Sequence, residues 1–350
     1  MKKRSLGIAV LAAASVTLAA CGSSSSSSSS TASGSGGAGT SKPSVANVVN
    51  GPLGDQGFFD DAARGMKELE TAGSKTQVIQ SDANNPAQWK SNLESVSGGK
   101  WDIVITGTTQ MHDILNAEAP KYPKQKFIIY DDVVKQPNVA SIVYKQNEGS
   151  YVAGVLAAEV TTNKAKFPMA TGSKTVGLVG GMDIPVINDF VAGFKKGVSV
   201  VDPAIQVKVS YVGNFTDSNK GFDQAKLMYD QGADVVFQVA GGAGIGVLKA
   251  AAASKRYAIG VDSNQNAIQP GYVLASMLKN IGDSLVLAVN DSAAGKLKYG
   301  ETTSYGLANK GVGLDFGNNK DIVPADIKAK VDDFSNQVAT GKIQVPTVLQ

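Results

Sequence analysis

Cysteine and histidine are almost absent from this chain of 350 residues: Cys21 and His112 are the only ones. A lone cysteine has no intramolecular disulfide partner, and one of each cannot form a Cys/His zinc set or a Cys-His nucleophilic dyad. Gly-x-Ser-x-Gly and Gly-x-x-x-x-Gly-Lys-[Ser/Thr] do not occur, and Gly242-Ala-Gly244-Ile-Gly246 has the wrong spacing for a dinucleotide loop. His112, at a helix start after Thr108-Thr109-Gln110, reads as a surface residue. The chain is therefore expected to hold no metal or cofactor and to catalyse nothing. Net charge is a further absence. The 33 basic residues exceed the 30 acidic ones only through Lys2, Lys3 and Arg4, and no basic cluster interleaved with aromatics follows. Nucleic acid is thus excluded as a partner. Beyond residue 20 no apolar run approaches the ~20 residues that span a bilayer.

What is present begins with those three cations. They precede an uncharged stretch, Leu6 to Ala20, that ends in Leu18-Ala19-Ala20-Cys21 and runs into Gly22 and the serines Ser23 to Ser30. A charged start, a short apolar core and small residues before a cleavage point make an export signal. The ending resembles a bacterial lipobox, in which the cysteine is acylated and becomes the first mature residue. Residues 1–20 are read as signal peptide and Cys21 as the lipidation site, which anchors the protein at the extracytoplasmic face of the membrane. Residues 21–44 are, after Cys21 and apart from Lys42 and Pro43, Ser, Gly, Ala and Thr, too poor in apolar surface to fold. They form a tether of about 25–30 Å, from ~5–6 Å × √n.

The remaining residues alternate strand-like and helix-like segments. Val45–Val49, Thr76–Gln80, Trp101–Thr106, Lys126–Tyr130 and Ala140–Tyr144 are strand candidates, separated by helices at Asp60–Gly73, Pro86–Val96 and His112–Ala119. After an Ala-rich helix, Gly149–Thr161, a second series runs through strands at Thr175, Gln206, Val235, Tyr257 and Val273, and Ile281–Gly295 reads as a helix. Helical crossovers between strands imply parallel sheets covered on both faces, and two series imply two such domains. Ligands in open α/β sheets bind beyond the carboxyl ends of the strands. Gly51 to Phe59, Asp131-Asp132, Gly180-Gly181-Met182-Asp183, Ala240-Gly241-Gly242 and Asp262 all follow strands.

At these residues the chain resembles the basic membrane protein family, lipoproteins that include purine nucleoside receptors. The resemblance is carried by Val176-Gly-Leu-Val-Gly-Gly-Met-Asp-Ile-Pro-Val-Ile187, Phe190, Gly193-Phe194, the run Tyr229 to Gly244, Ile259-Gly-Val-Asp-Ser-Asn-Gln265, Ser276-Met-Leu-Lys279 and Gly311-Val-Gly-Leu314. It implies a type I periplasmic-binding-protein fold: two Rossmann-like lobes joined by three crossovers, with ligand in the cleft. Lobe 1 is expected at 45–148 plus 272–305, and lobe 2 at 149–271 plus 306–350. The implied role is that of the substrate-binding protein of an ABC importer, a monomer that delivers a nucleoside, a purine first, to its permease and ATPase.

The resemblance also implies site residues. Phe58, in Asp55-Gln-Gly-Phe58, matches a ligand-stacking aromatic, and Phe237 a second one on the facing lobe; for Phe237 a core position in its strand stays open. One of Asp131 and Asp132, with Asp131 preferred, accepts from a base. Asp262 takes ribose hydroxyls, and Lys279 donates to ribose oxygens or pairs with Asp262. Gly242 admits close backbone approach or serves packing alone. Where the family has Ser-Phe-Asn this chain has Gly57-Phe58-Phe59, which removes a base-contacting amide and leaves the ligand open. A sugar- or autoinducer-type binding protein of the same fold, or a surface sensor, stands as the alternative.

Overall fold

The computed structural model describes residues 42–317 and 322–349. The expected signal peptide, Cys21 and the tether up to residue 41 lie outside the described residues. The backbone builds two six-stranded sheets. The first holds β1 (Val45–Val48), β2 (Thr76–Ile79), β3 (Ile103–Gly107), β4 (Lys126–Tyr130), β5 (Val139–Tyr144) and β11 (Thr302–Tyr305), ordered β11-β5-β4-β3-β1-β2 and parallel throughout. The second holds β6 (Thr175–Gly180), β7 (Gln206–Tyr211), β8 (Val235–Val239), β9 (Tyr257–Asp262), β10 (Val273–Lys279) and β12 (Val312–Asp315), ordered β12-β10-β9-β8-β6-β7, with β12 alone antiparallel. No strand is predicted at β12: four residues around Gly313 carry too short a pattern to register.

Helices α1 (Phe58–Thr71), α2 (Pro86–Val96), α3 (His112–Glu118) and α8 (Ile281–Ala293) belong to the first lobe. Helices α4 (Gln146–Thr162), α5 (Pro185–Val201), α6 (Ser218–Asp230), α7 (Gly244–Ser254) and α9 (Ala325–Ala339) belong to the second. Their ends follow local chemistry. The Asn85 side chain accepts from the Gln88 N–H at 3.1 Å, and Pro86 opens α2 where its missing N–H costs nothing. Asp217 does the same for α6 through the Lys220 N–H at 3.0 Å. Helix α4 is buried on almost every side. It crosses α5 so closely that a Cβ on Gly193 would stand 2.1 Å from the Asn147 carbonyl oxygen, and one on Gly197 1.9 Å from that of Tyr151.

The chain passes between lobes three times: at Lys145, at Asn280 and after Tyr305. The second passage differs from the expectation, which returned the chain to lobe 1 at residue 272. Strand β10 instead pairs with β9 from Val273↔Ala258 to Leu278↔Asp262. Its apolar run suits a buried position in either sheet, and the pairing with β9 decides between them. Lys279, the last residue of β10, therefore stands at the passage itself.

Candidate functional site

The carboxyl ends of the two sheets face each other across a cavity of about 450 Å³. Four phenylalanines wall it: Phe58 and Phe59 from the first lobe, Phe190 and Phe215 from the second. Its polar lining includes Asn50, Gln110, Asp131, Asp262 and Lys279.

The first-lobe wall rests on a loop folded around two carboxylates. Asp55 accepts from the N–H groups of Gly57 (3.0 Å), Phe59 (2.9 Å) and Asp60 (3.1 Å). Asp60 accepts from those of Gly54 (2.8 Å) and Gln56 (2.9 Å). Five backbone donors at the start of α1 are thus satisfied, which fixes Phe58 at the helix mouth. Burial raises the Asp55 carboxyl above its ordinary value, opposed by these N–H groups. Phe58 meets Phe59 edge-on, with centroids 5.3 Å apart at 84°, and lies 5.6 Å from Tyr130. The Phe59 ring folds back on Gly51, where a Cβ would stand 2.5 Å from it.

Three strand ends supply the charges. Asp131, just after β4, and Asp262, closing β9, both adopt left-handed backbone conformations, φ 65° and 66°. Aspartate tolerates that region better than most side chains. Lys279, 1% exposed, forms an ion pair with Asp131 across the lobes. Its ammonium stands 5.4 Å from the Phe58 ring centroid, 5.0 Å from Tyr144 and 5.5 Å from Phe190, an arrangement that favours the cation. Burial pushes the Asp131 carboxyl up while Lys279 pulls it down. The partner of Lys279 is thus Asp131 rather than Asp262. Asp262 is buried at the cavity wall, and no hydrogen bond reaches its carboxylate among the described residues. Burial pushes its pKa up to about 8, against the pull of Lys279 and with reinforcement from Asp55 and Asp131.

Asp55, Phe58, Asp131, Gly242, Asp262 and Lys279 therefore come together at the cavity. Two expected residues do not. Asp132 turns away, bonding His112 Nδ1 at 3.0 Å and the Val133 N–H at 2.7 Å, and is absent from the cavity wall. Phe237 is fully buried in β8, 5.5 Å from Phe194 and 6.4 Å from Phe190, and is also absent from the wall. All five residues of β8 are buried, so no polar alternation marks which face looks at the cleft. The second lobe's cavity rings are instead Phe190, on the first turns of α5, and Phe215, after β7. Phe190 was within reach as an aromatic near a helix start beyond a strand. Phe215 carries no such signal in the sequence; in the structure it packs on Gly181, where a Cβ would stand 2.2 Å from its ring. At Gly242 a Cβ would meet the Phe215 carbonyl oxygen at 3.3 Å and the Asp55 Cβ at 3.8 Å, so the lobes approach closely there.

Residues 42–348 match the family described as ABC transporter substrate-binding protein PnrA-like. The chain is 33% identical over 375 residues to the CD4+ T-cell-stimulating antigen of Listeria innocua, covering 99% of each. It is 32% identical over 371 residues to the ABC transporter nucleoside-binding protein BmpA of Lactococcus lactis subsp. cremoris, covering 99% of this chain and 100% of that one. Among solved structures, an ABC transporter solute-binding protein from Aeropyrum pernix superposes with a TM-score of 0.75 at 26% identity, over 87% of this chain and 93% of that one.

Proposed function

The chain belongs to the PnrA-like family of ABC transporter substrate-binding proteins, and from that premise we propose that its cleft captures a nucleoside, a purine nucleoside first. Asp262 carries the reading: a buried carboxyl that no hydrogen bond reaches among the described residues, in a cavity walled by four phenylalanines. Protonated below about pH 8, the carboxyl offers one O–H donor and a remaining acceptor oxygen, which suit the paired hydroxyls of a ribose. The rings suit a planar base, each stacking contact contributing about 1–3 kcal/mol. A nucleoside combines both features in one molecule. The name of the Lactococcus lactis relative supports the same class.

In this reading Phe58 and Phe190 hold the base from their two lobes, Asp262 takes the ribose hydroxyls, and Asp131 and Lys279 supply an acceptor and a donor beside them. Phe59 adds apolar wall where an amide would read the base, so the base edge falls to other groups. A ligand touching both lobes favours the closed arrangement, and the closed form docks on the permease. Acylation at Cys21 would keep the monomeric protein at the extracytoplasmic face.

The test is calorimetric titration of the purified protein, stripped of carried-over ligand by unfolding and refolding, with adenosine, guanosine, inosine, uridine, cytidine, ribose and galactose. Micromolar or tighter binding of purine nucleosides without the sugars is expected. Binding of sugars alone, or of nothing in the set, overturns the reading.

A further inference from the structure

Beside the cavity the two lobes also touch directly through the loop after β9. The side-chain amide of Gln265, in the loop after β9, donates to the Gln56 carbonyl oxygen at 3.0 Å, and the Ser263 hydroxyl donates to that of Gly57 at 3.3 Å. Neither Gln265 nor Ser263 lines the cavity. We infer that Gln265, assisted by Ser263, is a closure latch: a positioning residue that holds the lobes together and so sets how long a captured ligand stays.

The latch is rigid on both sides. Gln265 is 1% exposed, and its Oε1 accepts from Gln238 Nε2 at 2.6 Å and from the Val261 N–H at 3.0 Å. Its own N–H donates to Ser276 Oγ at 2.9 Å. Strands β8, β9 and β10 thus aim the amide N–H at the first lobe. There the acceptor is equally fixed. Gln56 sits at φ 52°, with its N–H held by Asp60, and Gly57 has its N–H held by Asp55. The loop spends its donors on the two aspartates and presents carbonyls to the other lobe. The surfaces meet at Gly57: a Cβ there would stand in van der Waals contact, 3.4 Å from Gln265 Nε2 and 3.5 Å from Asp262 Oδ2. Phe58 follows directly, so engaging this loop also seats a cavity ring. An open molecule gives these carbonyls and the amide to water. The net gain on closing is therefore modest, about 1 kcal/mol per bond, and it is placed where it resists reopening rather than where it selects a ligand.

The test compares the full-length protein with Gln265→Glu and Ser263→Ala. Glutamate keeps an acceptor for Gln238 and Val261 but turns an oxygen, not a donor, toward the Gln56 carbonyl. Interlobe distance is read from spin labels at Lys90→Cys on α2 and Leu227→Cys on α6, with Cys21→Ser to leave no other thiol. Nucleoside dissociation is read by stopped flow with inosine and adenosine. Gln265→Glu is expected to shift the distance distribution toward its open limit and to speed dissociation about fivefold, the factor that about 1 kcal/mol gives, with association unchanged. Ser263→Ala is expected to shift both in the same direction by less. A wild-type distance distribution in Gln265→Glu, or a shifted one with unaltered dissociation, overturns the latch. The dissociation arm rests on the nucleoside reading. If no nucleoside binds, that reading falls and the distance arm decides the latch by itself.

Discussion

The two faces of the cleft use their polar groups differently. On the first-lobe side Asp55 and Asp60 are turned onto their own loop, taking five backbone N–H groups, and Asp131 is matched by Lys279. On the second-lobe side Asp262 has no hydrogen bond among the described residues, and Gly241 and Gly242 offer only backbone. One face is set by its internal bonds; the other carries an unmet acceptor. The same contrast separates the two aspartates in left-handed conformations, since only one of them has a cation at bonding distance. Preorganisation on one side and an open demand on the other make ligand contact with both lobes the natural way to satisfy the site.

The comparison can be broken most severely behind the second face. Phe237→Ala should lower stability by about 3–5 kcal/mol, as truncation of a buried aromatic does, and leave nucleoside affinity nearly unchanged. Chemical denaturation beside calorimetry separates the two, and a large affinity loss at wild-type stability would return Phe237 to the site. Removing the unmet acceptor should act the other way. Measured above about pH 8, where the carboxyl is ionised, Asp262→Asn should cost about 1.5–3 kcal/mol of binding, the range for a hydrogen bond to a charged group.

The same substitution should raise stability in a pH-dependent manner. The folded protein holds the Asp262 proton to about pH 8, whereas the ordinary value is 3.8. Between those values the folded state binds more protons than the unfolded one, so stability falls as pH rises. Below about pH 4 both states are protonated and the difference vanishes. The melting temperature of Asp262→Asn should therefore exceed that of wild type at pH 8 and converge with it near pH 4. Equal pH profiles would contradict the burial of an ionisable Asp262.

A smaller loss is expected from the rings, about 1–3 kcal/mol of affinity for Phe190→Ala, measured by calorimetry. If Phe190→Ala binds as wild type does, the second lobe offers its ring from Phe215 instead. The smallest effect belongs to Asp132→Asn, whose carboxylate faces His112 and the Val133 N–H. Its affinity should stay within about 0.5 kcal/mol of wild type, as for a substitution remote from the site, and a tenfold loss would bring Asp132 back to the ligand.

Much of this architecture is legible in the order of residues because it depends on local rules. Strand β4 and helix α2 begin and end where the apolar run, Asn85, Pro86 and Ser97-Gly98-Gly99 place them. The rule that ligands gather at carboxyl ends of strands finds Asp131, Gly242 and Asp262 without any contact information. The misplacements share one cause. Strands β8 and β10 are buried almost throughout, so their side chains carry no polar period to say which face or which sheet they serve. Asp131 and Asp132 are neighbours of the same type, and the turn of the backbone after β4 separates their roles.

The sequence alone determined that two successive α/β series form the main body and that small, acidic and aromatic residues gather beyond their strands. Hydrophobic period, capping and turn chemistry act over a few residues, and the chain states them directly. Tertiary structure decided that β10 pairs with β9, that Lys279 takes Asp131 and leaves Asp262 unmet, that Phe190 rather than Phe237 reaches the cavity, and that Gln265 touches the loop before Phe58. Each of these is a contact between groups far apart in the chain, chosen by close packing and by the cost of leaving a buried charge or polar group without a partner.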